Sequence, residues 1–195
     1  MMEREQNSRT RRTKASLRSA LAASIRETGL TGITVRELTN RAGINRATFY
    51  IHYHDIQDLL EQTRTEIIND LHILLSMHQT EECAERPLIM LCDIFHFLKK
   101  HCEICSALMC ENGDPIFIEA LKEPVRAKTV HDWECLCSDS VDPARTSYFA
   151  AFIVSGVVSL FEQWCENGMK ETPEQMAEMA DAFIRIGSQG LRKMN

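Results

Sequence analysis

The chain has 195 residues, 44% of them apolar, which is enough for one large or two small domains with a packed core. No run of about 18 apolar residues occurs, and the N-terminus lacks the apolar stretch of a secretory signal. Composition therefore argues against a membrane partner and against secretion. We expect a cytoplasmic protein.

The net charge of −6 is unevenly distributed along the chain. Residues 1–54 carry ten Lys and Arg against four Asp and Glu, a charge of +6, whereas residues 55–195 carry 12 against 24, a charge of −12. A basic segment suits phosphates, and DNA repels an acidic one. The division predicts a DNA-binding head at 1–54 and an effector and dimerisation body at 55–195. A basic tail on an acidic globule is the alternative, against which the ordered pattern after residue 15 argues.

The first predicted element is an amphipathic helix from Arg9 to Thr28, because Leu17, Leu21 and Ile25 recur at helical spacing. The residues before it, 1–9, are polar, and we expect them to be disordered.

Two short helices around a tight turn follow. Thr34 can cap the first, and Glu37 three residues later completes a capping box. Gly43 suits the turn, and Asn45 can cap a second helix. That second helix carries small, hydroxylic and basic residues, namely Arg46, Ala47, Thr48, Phe49 and Tyr50. Such a helix fits the major groove of DNA, which predicts a helix-turn-helix.

The rest of the chain predicts further helices and no strand. Asp55 caps a long helix, and Pro residues stand at helix starts farther along. The predicted helices after it run from Pro87 to His101, from Glu103 to Glu111, from the 112–115 turn to Cys137 with Pro124 kinking or splitting it, from Pro143 to Asn167, and from Pro173 to Gly190. The expected fold class is all-α, with a three-helix head, a larger helical bundle and about nine helices.

The pattern from Thr34 to Leu60 resembles the TetR family of transcriptional regulators. The matching residues are Thr34-Val35-Arg36-Glu37-Leu38, Ala42-Gly43-Ile44, Thr48-Phe49-Tyr50, His52-Tyr53 and Leu59-Leu60. The segments 108–115 and 148–164 are similar to the C-terminal domain of a Gram-positive subgroup related to the activator of dihydroxyacetone kinase operons. The resemblance implies a homodimer whose last two long helices form a four-helix interface. It also implies a head that represses transcription at an operator until a small-molecule inducer changes the spacing of the two heads.

One position departs from the family pattern. The family often has a phosphate-contacting Lys where this chain has Ile56. His54 or a basic N-terminal arm, formed by Arg9, Arg11, Arg12 and Lys14, is expected to replace that contact; for the arm, a solvated tail is an equal alternative.

The family pattern places one set of side chains at or near DNA. Arg46 suits a guanine edge or a phosphate, and Ala47 a thymine methyl. Phe49 and Tyr53 are expected to face the core of the head instead. The predicted DNA-binding residues are Thr34, Asn45, Arg46, Ala47, Thr48, Tyr50, His52 and His54.

The helix from Tyr148 to Trp164 is apolar nearly all round, which predicts burial on several sides. Dimerisation with the last helix would provide that burial, whereas burial inside one subunit is the alternative. The predicted interface residues are Phe149, Phe152, Ile153, Gly156, Val157, Leu160, Trp164, Met176, Met179 and Phe183.

The body gives weaker signals. Cys102, Cys105 and the other cysteines are interpreted as buried thiols rather than as a metal or redox site, because one C-x-x-C is a weak signal. Met90, Phe95, Phe97, Met109, Phe117 and Trp133 fit an effector pocket or plain core, and the ligand-binding residues stay unknown. We expect no metal, no cofactor and no enzymatic activity, since no catalytic arrangement appears at a recognised spacing.

The sequence therefore predicts a dimeric, ligand-released repressor that binds a palindromic operator in double-stranded DNA. The alternatives are an activator, a protein-interaction regulator that binds DNA weakly by itself, and a thiol-responsive or metal-responsive sensor.

Overall fold

All regular elements in the described part of the chain are α-helices. The computed structural model describes residues 2–79, 87–110, 113–136 and 142–192. Over these ranges it contains nine helices, which confirms the predicted all-α class. They are α1 (Met2–Thr28), α2 (Val35–Ala42), α3 (Arg46–His52), α4 (Ile56–Ser76), α5 (Pro87–Lys100), α6 (Cys102–Met109), α7 (Pro115–Leu136), α8 (Pro143–Glu166) and α9 (Pro173–Arg192).

Helix α1 begins earlier than the sequence pattern suggested. Residues 1–9 were expected to be disordered, but α1 starts at Met2. The stretch contains no Gly or Pro, and its Glu, Arg and Gln residues are good helix formers. The helix is therefore not interrupted between Met2 and Arg9. Helix α7 continues through Pro124 as one helix, so Pro124 does not split it.

The helix-turn-helix is set by its caps. Thr34 and Glu37 form the predicted capping box, in which the Glu37 amide donates to the Thr34 hydroxyl at 3.2 Å. Helix α2 ends at Gly43, whose φ of 67° lies in the left-handed region. The side-chain oxygen of Asn45 then accepts from the Ala47 amide at 2.9 Å and starts α3. These local bonds satisfy helix-end amides that would otherwise lack partners.

The core of the head is built from apolar residues of α1 to α4. Phe49 of α3 is fully buried, and its ring lies 5.7 Å from that of Tyr53, which is buried as well. The prediction that these two rings face the core is confirmed. The other buried members include Leu17, Leu21, Ile25, Leu38, Leu59 and Leu60. Burial of one such side chain stabilises the fold by about 1.5–3 kcal/mol.

Packing divides the chain into two compact units. The first consists of Met1–Ile67 with Glu103–Ile118, and the second of Ile68–Cys102 with Glu119–Asn195. The first unit therefore contains more than the head predicted at 1–54, because the first half of α4 and all but the first residue of α6 belong to it. The division of function at residue 54 remains a prediction.

Helix α6 is held in the first unit by polar contacts to α1. The Ser19 hydroxyl donates to the Glu103 carboxylate at 2.6 Å. Arg26 donates to the Glu103 carbonyl and to the Ser106 hydroxyl, each at 2.7 Å. Since Ile104 and Leu108 are buried, α6 has both an apolar and a polar attachment within this unit.

An ion pair links α4 to the start of α7 in the same unit. The Arg64 guanidinium lies 3.2 Å from the Asp114 carboxylate, which is almost fully buried. The two atoms are within ion-pair distance but are not aligned as a hydrogen bond. The other Asp114 oxygen accepts from the Ile116 amide at 3.1 Å, so Asp114 also caps α7.

In the second unit the core centres on Trp164 of α8. Its ring packs edge-to-face on Phe95 at 5.9 Å, and its indole N–H donates to the Glu171 carbonyl at 3.2 Å. Helix α5, which carries Phe95, packs along α9.

Helix α8 bears on the expectation that no segment spans a membrane. Ala144–Glu166, which contains an 18-residue window with a mean hydropathy of 1.4, is long and apolar enough to do so by length and composition. The sequence criterion required an unbroken run of apolar residues, which this helix lacks. The helix meets the criterion of mean hydropathy because its apolar residues outweigh its few charged ones. One such helix is weak evidence of a span, because core helices meet the same criterion.

Replacing Gly43 by Ala tests the turn between α2 and α3. A Cβ there meets nothing within 4 Å, so the cost comes from the left-handed backbone alone, about 1 kcal/mol. We expect urea denaturation to show that loss in the free energy of unfolding for Gly43→Ala. Gly43→Asn, which tolerates this conformation, should lose less. Equal stability of Gly43→Ala and the unchanged protein would contradict the assignment.

Replacing Asp114 by Ala removes both the ion pair and the α7 cap. We expect a loss of about 3 kcal/mol in the free energy of unfolding, because a partly buried guanidinium is left without its partner. Asp114→Asn keeps the capping oxygen and should lose less. The prediction would be contradicted if Asp114→Ala and the unchanged chain had the same urea midpoint and the same dependence of the unfolding free energy on urea concentration. The ion pair and the cap would then not stabilise the fold.

Candidate nucleic-acid interface

The exposed face of α3 lies opposite its buried face. Phe49 is buried, whereas Tyr50 is 58% exposed and Ile51 76% exposed. Arg46 and Ala47 are exposed one turn earlier. Because residues three and four apart share a helix face, these four exposed side chains form one continuous surface. The seven-residue helix α3, capped by Asn45, is thus held in the fold by its buried side, and its opposite side is exposed to solvent.

The remaining predicted residues of this region lie on its flanks. Thr48 and His52 are half-buried, and Asn45 is exposed. His54 is exposed, and its backbone N–H donates to Asp58 at 2.8 Å. That bond, together with one from Gln62, lowers the pKa of the Asp58 carboxyl.

The Thr34 hydroxyl is already engaged within the chain. It donates to the Glu37 carboxylate at 2.7 Å while it accepts from the Glu37 amide. A hydroxyl has one proton to donate, so Thr34 must release Glu37 before it can donate to a phosphate. The predicted contact at Thr34 therefore requires a rearrangement that the sequence did not indicate.

Several basic residues of the head are paired inside the first unit. Arg41 binds both carboxylate oxygens of Glu27, and the hydrogen bond from Arg41 lowers the pKa of the Glu27 carboxyl. Lys14 lies 3.2 Å from Glu66, and Arg18 pairs with the same carboxylate. Lys14 was predicted to belong to a basic arm. It lies instead within α1, with its ammonium 5.8 Å from the centre of the Tyr53 ring.

Other basic residues make no ion pair within the part of the chain that the structure describes. Apart from Arg26, which donates hydrogen bonds to α6, the exposed ones are Arg9, Arg11 and Arg12 on α1, Arg36 on α2 and Arg46 on α3. Arg36 was not among the predicted DNA-binding residues. Its place near the start of α2, one residue before the capping residue Glu37, is the feature that could have identified it from the sequence. Ile51 was also missed, because an isoleucine at helical spacing reads as core.

The position of the missing family lysine is half-buried. Ile56 is the first residue of α4, one residue after Asp55, whose side chain accepts from the Asp58 amide at 2.8 Å. An isoleucine offers no charge there, so the nearest exposed basic group along the chain is the His54 ring.

The predicted dimer residues divide into two sets. Trp164 and Met176 are buried inside the second unit, which leaves little of either side chain for a partner subunit to contact. Their place on an interface stays a prediction, because an all-round apolar helix does not reveal which side faces inward. Phe149 is buried to 9% exposure but belongs with the second set, because it lines the same groove as the others. The others line or flank an open apolar groove of about 320 Å³ between α8 and α9, with Phe152 and Phe183 strongly exposed. These others are Phe152, Ile153, Gly156, Val157, Leu160, Met179 and Phe183.

The six cysteines in the described ranges form no disulfide with one another. In those ranges no three His, Cys, Asp or Glu side chains stand close enough to hold a metal ion. Cys83 and Cys137 lie outside the described residues. The candidate pocket residues Met90, Phe95, Phe97, Met109 and Phe117 are buried in the cores of their units, and Trp133 packs on Phe149 at 5.1 Å.

Two family models match the chain. One describes bacterial regulatory proteins of the tetR family and covers residues 17–63. The other describes a transcriptional regulator C-terminal region and covers residues 85–185, just over half of the chain. Together they include the helix-turn-helix and most of α5 to α9.

Individual relatives agree with the family models. The chain is 25% identical to the uncharacterized HTH-type transcriptional regulator YxbF of Bacillus subtilis, over 94% of this chain and 47% of YxbF, so it spans about half the length of that relative. Its fold is similar to that of the dihydroxyacetone kinase operon activator DhaS, with a TM-score of 0.59, 14% identity, and coverage of 92% of this chain and 98% of DhaS.

A Clostridium perfringens putative fatty acid metabolism regulator is similar in fold too, with a TM-score of 0.67, 12% identity, and coverage of 87% of this chain and 96% of that one. At such identities the two structures show the fold alone, and the family rests on the models. The chain belongs to the TetR family of bacterial transcriptional regulators, which bind DNA and are not enzymes.

Proposed function

We propose that this regulator works in the cytoplasm as a homodimer, holds a palindromic operator with its two heads, and represses transcription until a small molecule releases it. The observation that carries the proposal is the exposed face of α3. Arg46 and Tyr50 lie on this face, and neither makes an ion pair with any residue that the structure describes. A free cationic group beside small residues suits the major groove.

Each side chain near α3 has a role that its chemistry suggests. Arg46 reads a guanine edge or binds a phosphate, since its guanidinium presents a planar fork of donors. Ala47 lies against a thymine methyl. The hydroxyls of Thr48 and Tyr50, with Asn45, His52, His54 and a rearranged Thr34, bind phosphates. We add Arg36 to this set because it is exposed and makes no ion pair in the described residues.

Dimerisation is supported by the groove between α8 and α9. Phe152 is 73% exposed and Phe183 is 59% exposed, which is unfavourable for a subunit alone in water. Burying the same patch against its twofold copy removes both rings from water. A twofold dimer requires a palindromic operator with half-sites about 34–36 Å apart, or separated by further helical turns.

Release by a small molecule is supported by the attachment of α6. Its contacts to Ser19 and Arg26 lie in the first unit, whereas α7, which follows α6, continues into the second. A ligand that moves α6 therefore changes contacts on α1 directly. DhaS is by its name an activator, so activation is the alternative sign of regulation for this chain.

Arg46→Ala tests the head. We expect it to weaken binding to an operator selected from random duplexes by about tenfold to a hundredfold, the weight of one bidentate base contact. Arg41→Ala is the matched control, because Arg41 is occupied by Glu27, and should change affinity by less than about twofold. Fluorescence anisotropy at several salt concentrations measures both. Equal losses for the two variants would refute the assignment of Arg46.

Phe152→Glu tests the dimer. We expect sedimentation to show a monomer and operator affinity to fall steeply, because a charge in the centre of an apolar interface is buried without a partner. Ile73→Glu, at another exposed apolar residue of the second unit, should leave both properties unchanged. A Phe152→Glu protein that stays dimeric at micromolar concentration would rule out this interface.

A further inference from the structure

One strongly exposed position of α3 carries an apolar side chain that the proposed function does not use. Ile51 is 76% exposed, and no described residue covers it. It follows Tyr50 and stands four residues after Ala47. This large apolar side chain is exposed in the middle of a surface that also carries basic and hydroxylic groups. Its burial on binding requires an apolar group on the bound molecule.

The helix geometry places Ile51 on the outermost ridge. Ala47 and Ile51 are four residues apart, so they lie one above the other on one face. Phe49, midway between them in sequence, points to the opposite side and is fully buried. The centre of the exposed face is therefore apolar, with Tyr50 on one flank and Thr48 and His52 on the other.

We infer that Ile51 contacts the 5-methyl group of a thymine in each half-site and so helps determine operator sequence. This inference rests on the proposed function, in which α3 lies in the major groove. The thymine methyl is the apolar group that base edges present there. Against guanine or cytosine, the same side chain would leave a base O6 or N4 amino group without a hydrogen-bond partner, which costs free energy.

The rise of the helix gives the spacing of the two contacts. Four residues of α-helix advance about 6 Å, and successive base pairs are separated by about 3.4 Å. Ala47 and Ile51 therefore contact thymines about two base-pair steps apart when α3 follows the groove. Ile51 takes the position farther along α3.

Thymine-to-deoxyuridine substitution tests this contact atom by atom. Operators are first selected from random duplexes by the unchanged full-length protein. Each thymine is then replaced singly by deoxyuridine, which lacks only the methyl group and keeps base pairing. Affinities are measured for the unchanged protein, for Ile51→Ala and for Ile73→Ala, which removes an exposed apolar side chain from α4. Circular dichroism checks that each variant folds.

At the thymine that Ile51 contacts in each half-site, deoxyuridine should weaken binding about fourfold for the unchanged protein and for Ile73→Ala, the effect of one buried methyl. For Ile51→Ala the same replacement should cost less than about 1.5-fold. The thymine that Ala47 contacts should respond in all three proteins. The inference is overturned if every deoxyuridine position affects Ile51→Ala and the unchanged protein equally. If the protein selects no DNA at all, both the proposed operator binding and the Ile51 contact are refuted. The two failures are therefore distinct, because the first result refutes the Ile51 contact alone.

Discussion

The burial of Phe49 is the interaction on which the proposed DNA-binding surface depends. Helix α3 has seven residues, too few to be stable in water by itself. Phe49 and Tyr53 attach it to a core formed with α1, α2 and α4, and the caps at Thr34 and Asn45 set its ends. Once one face is buried, the opposite face is determined, so the same two rings that stabilise α3 decide which side chains it offers to DNA.

Charge pairing inside the first unit then selects among the basic residues. The head carries +6, yet Lys14 and Arg18 share the carboxylate of Glu66, and Arg41 is paired with Glu27. These pairs are exposed or half-exposed and add little stability. In the function we propose, their effect is on recognition, because they reduce the number of phosphates the head can bind. With Ile56 in the place of a family lysine, the affinity we propose depends on Arg36, Arg46 and the arginines of α1.

The local parts of the head could be predicted because their signals are local. The capping box, the glycine turn and the buried pair Phe49 and Tyr53 depend on residues three or four apart, and each was confirmed. The contacts of α6 were not foreseeable, since Ser19 and Glu103 are 84 residues apart. Trp164 was placed on the interface because a helix apolar all round does not indicate its inward side. The exposure of Ile51 had no signal in the sequence, since an apolar residue in a helix is most often part of the core.

The central claim is that DNA contacts the exposed face of α3. Photocrosslinking with 5-iododeoxyuridine tests it directly, with the iodinated base placed at each thymine of a selected operator and the attached peptide identified by mass spectrometry. Crosslinks confined to the segment from Thr34 to His54, with Tyr50 or His52 among the attachment points, are the predicted result. Efficient crosslinks elsewhere, with none in that segment, would contradict the account.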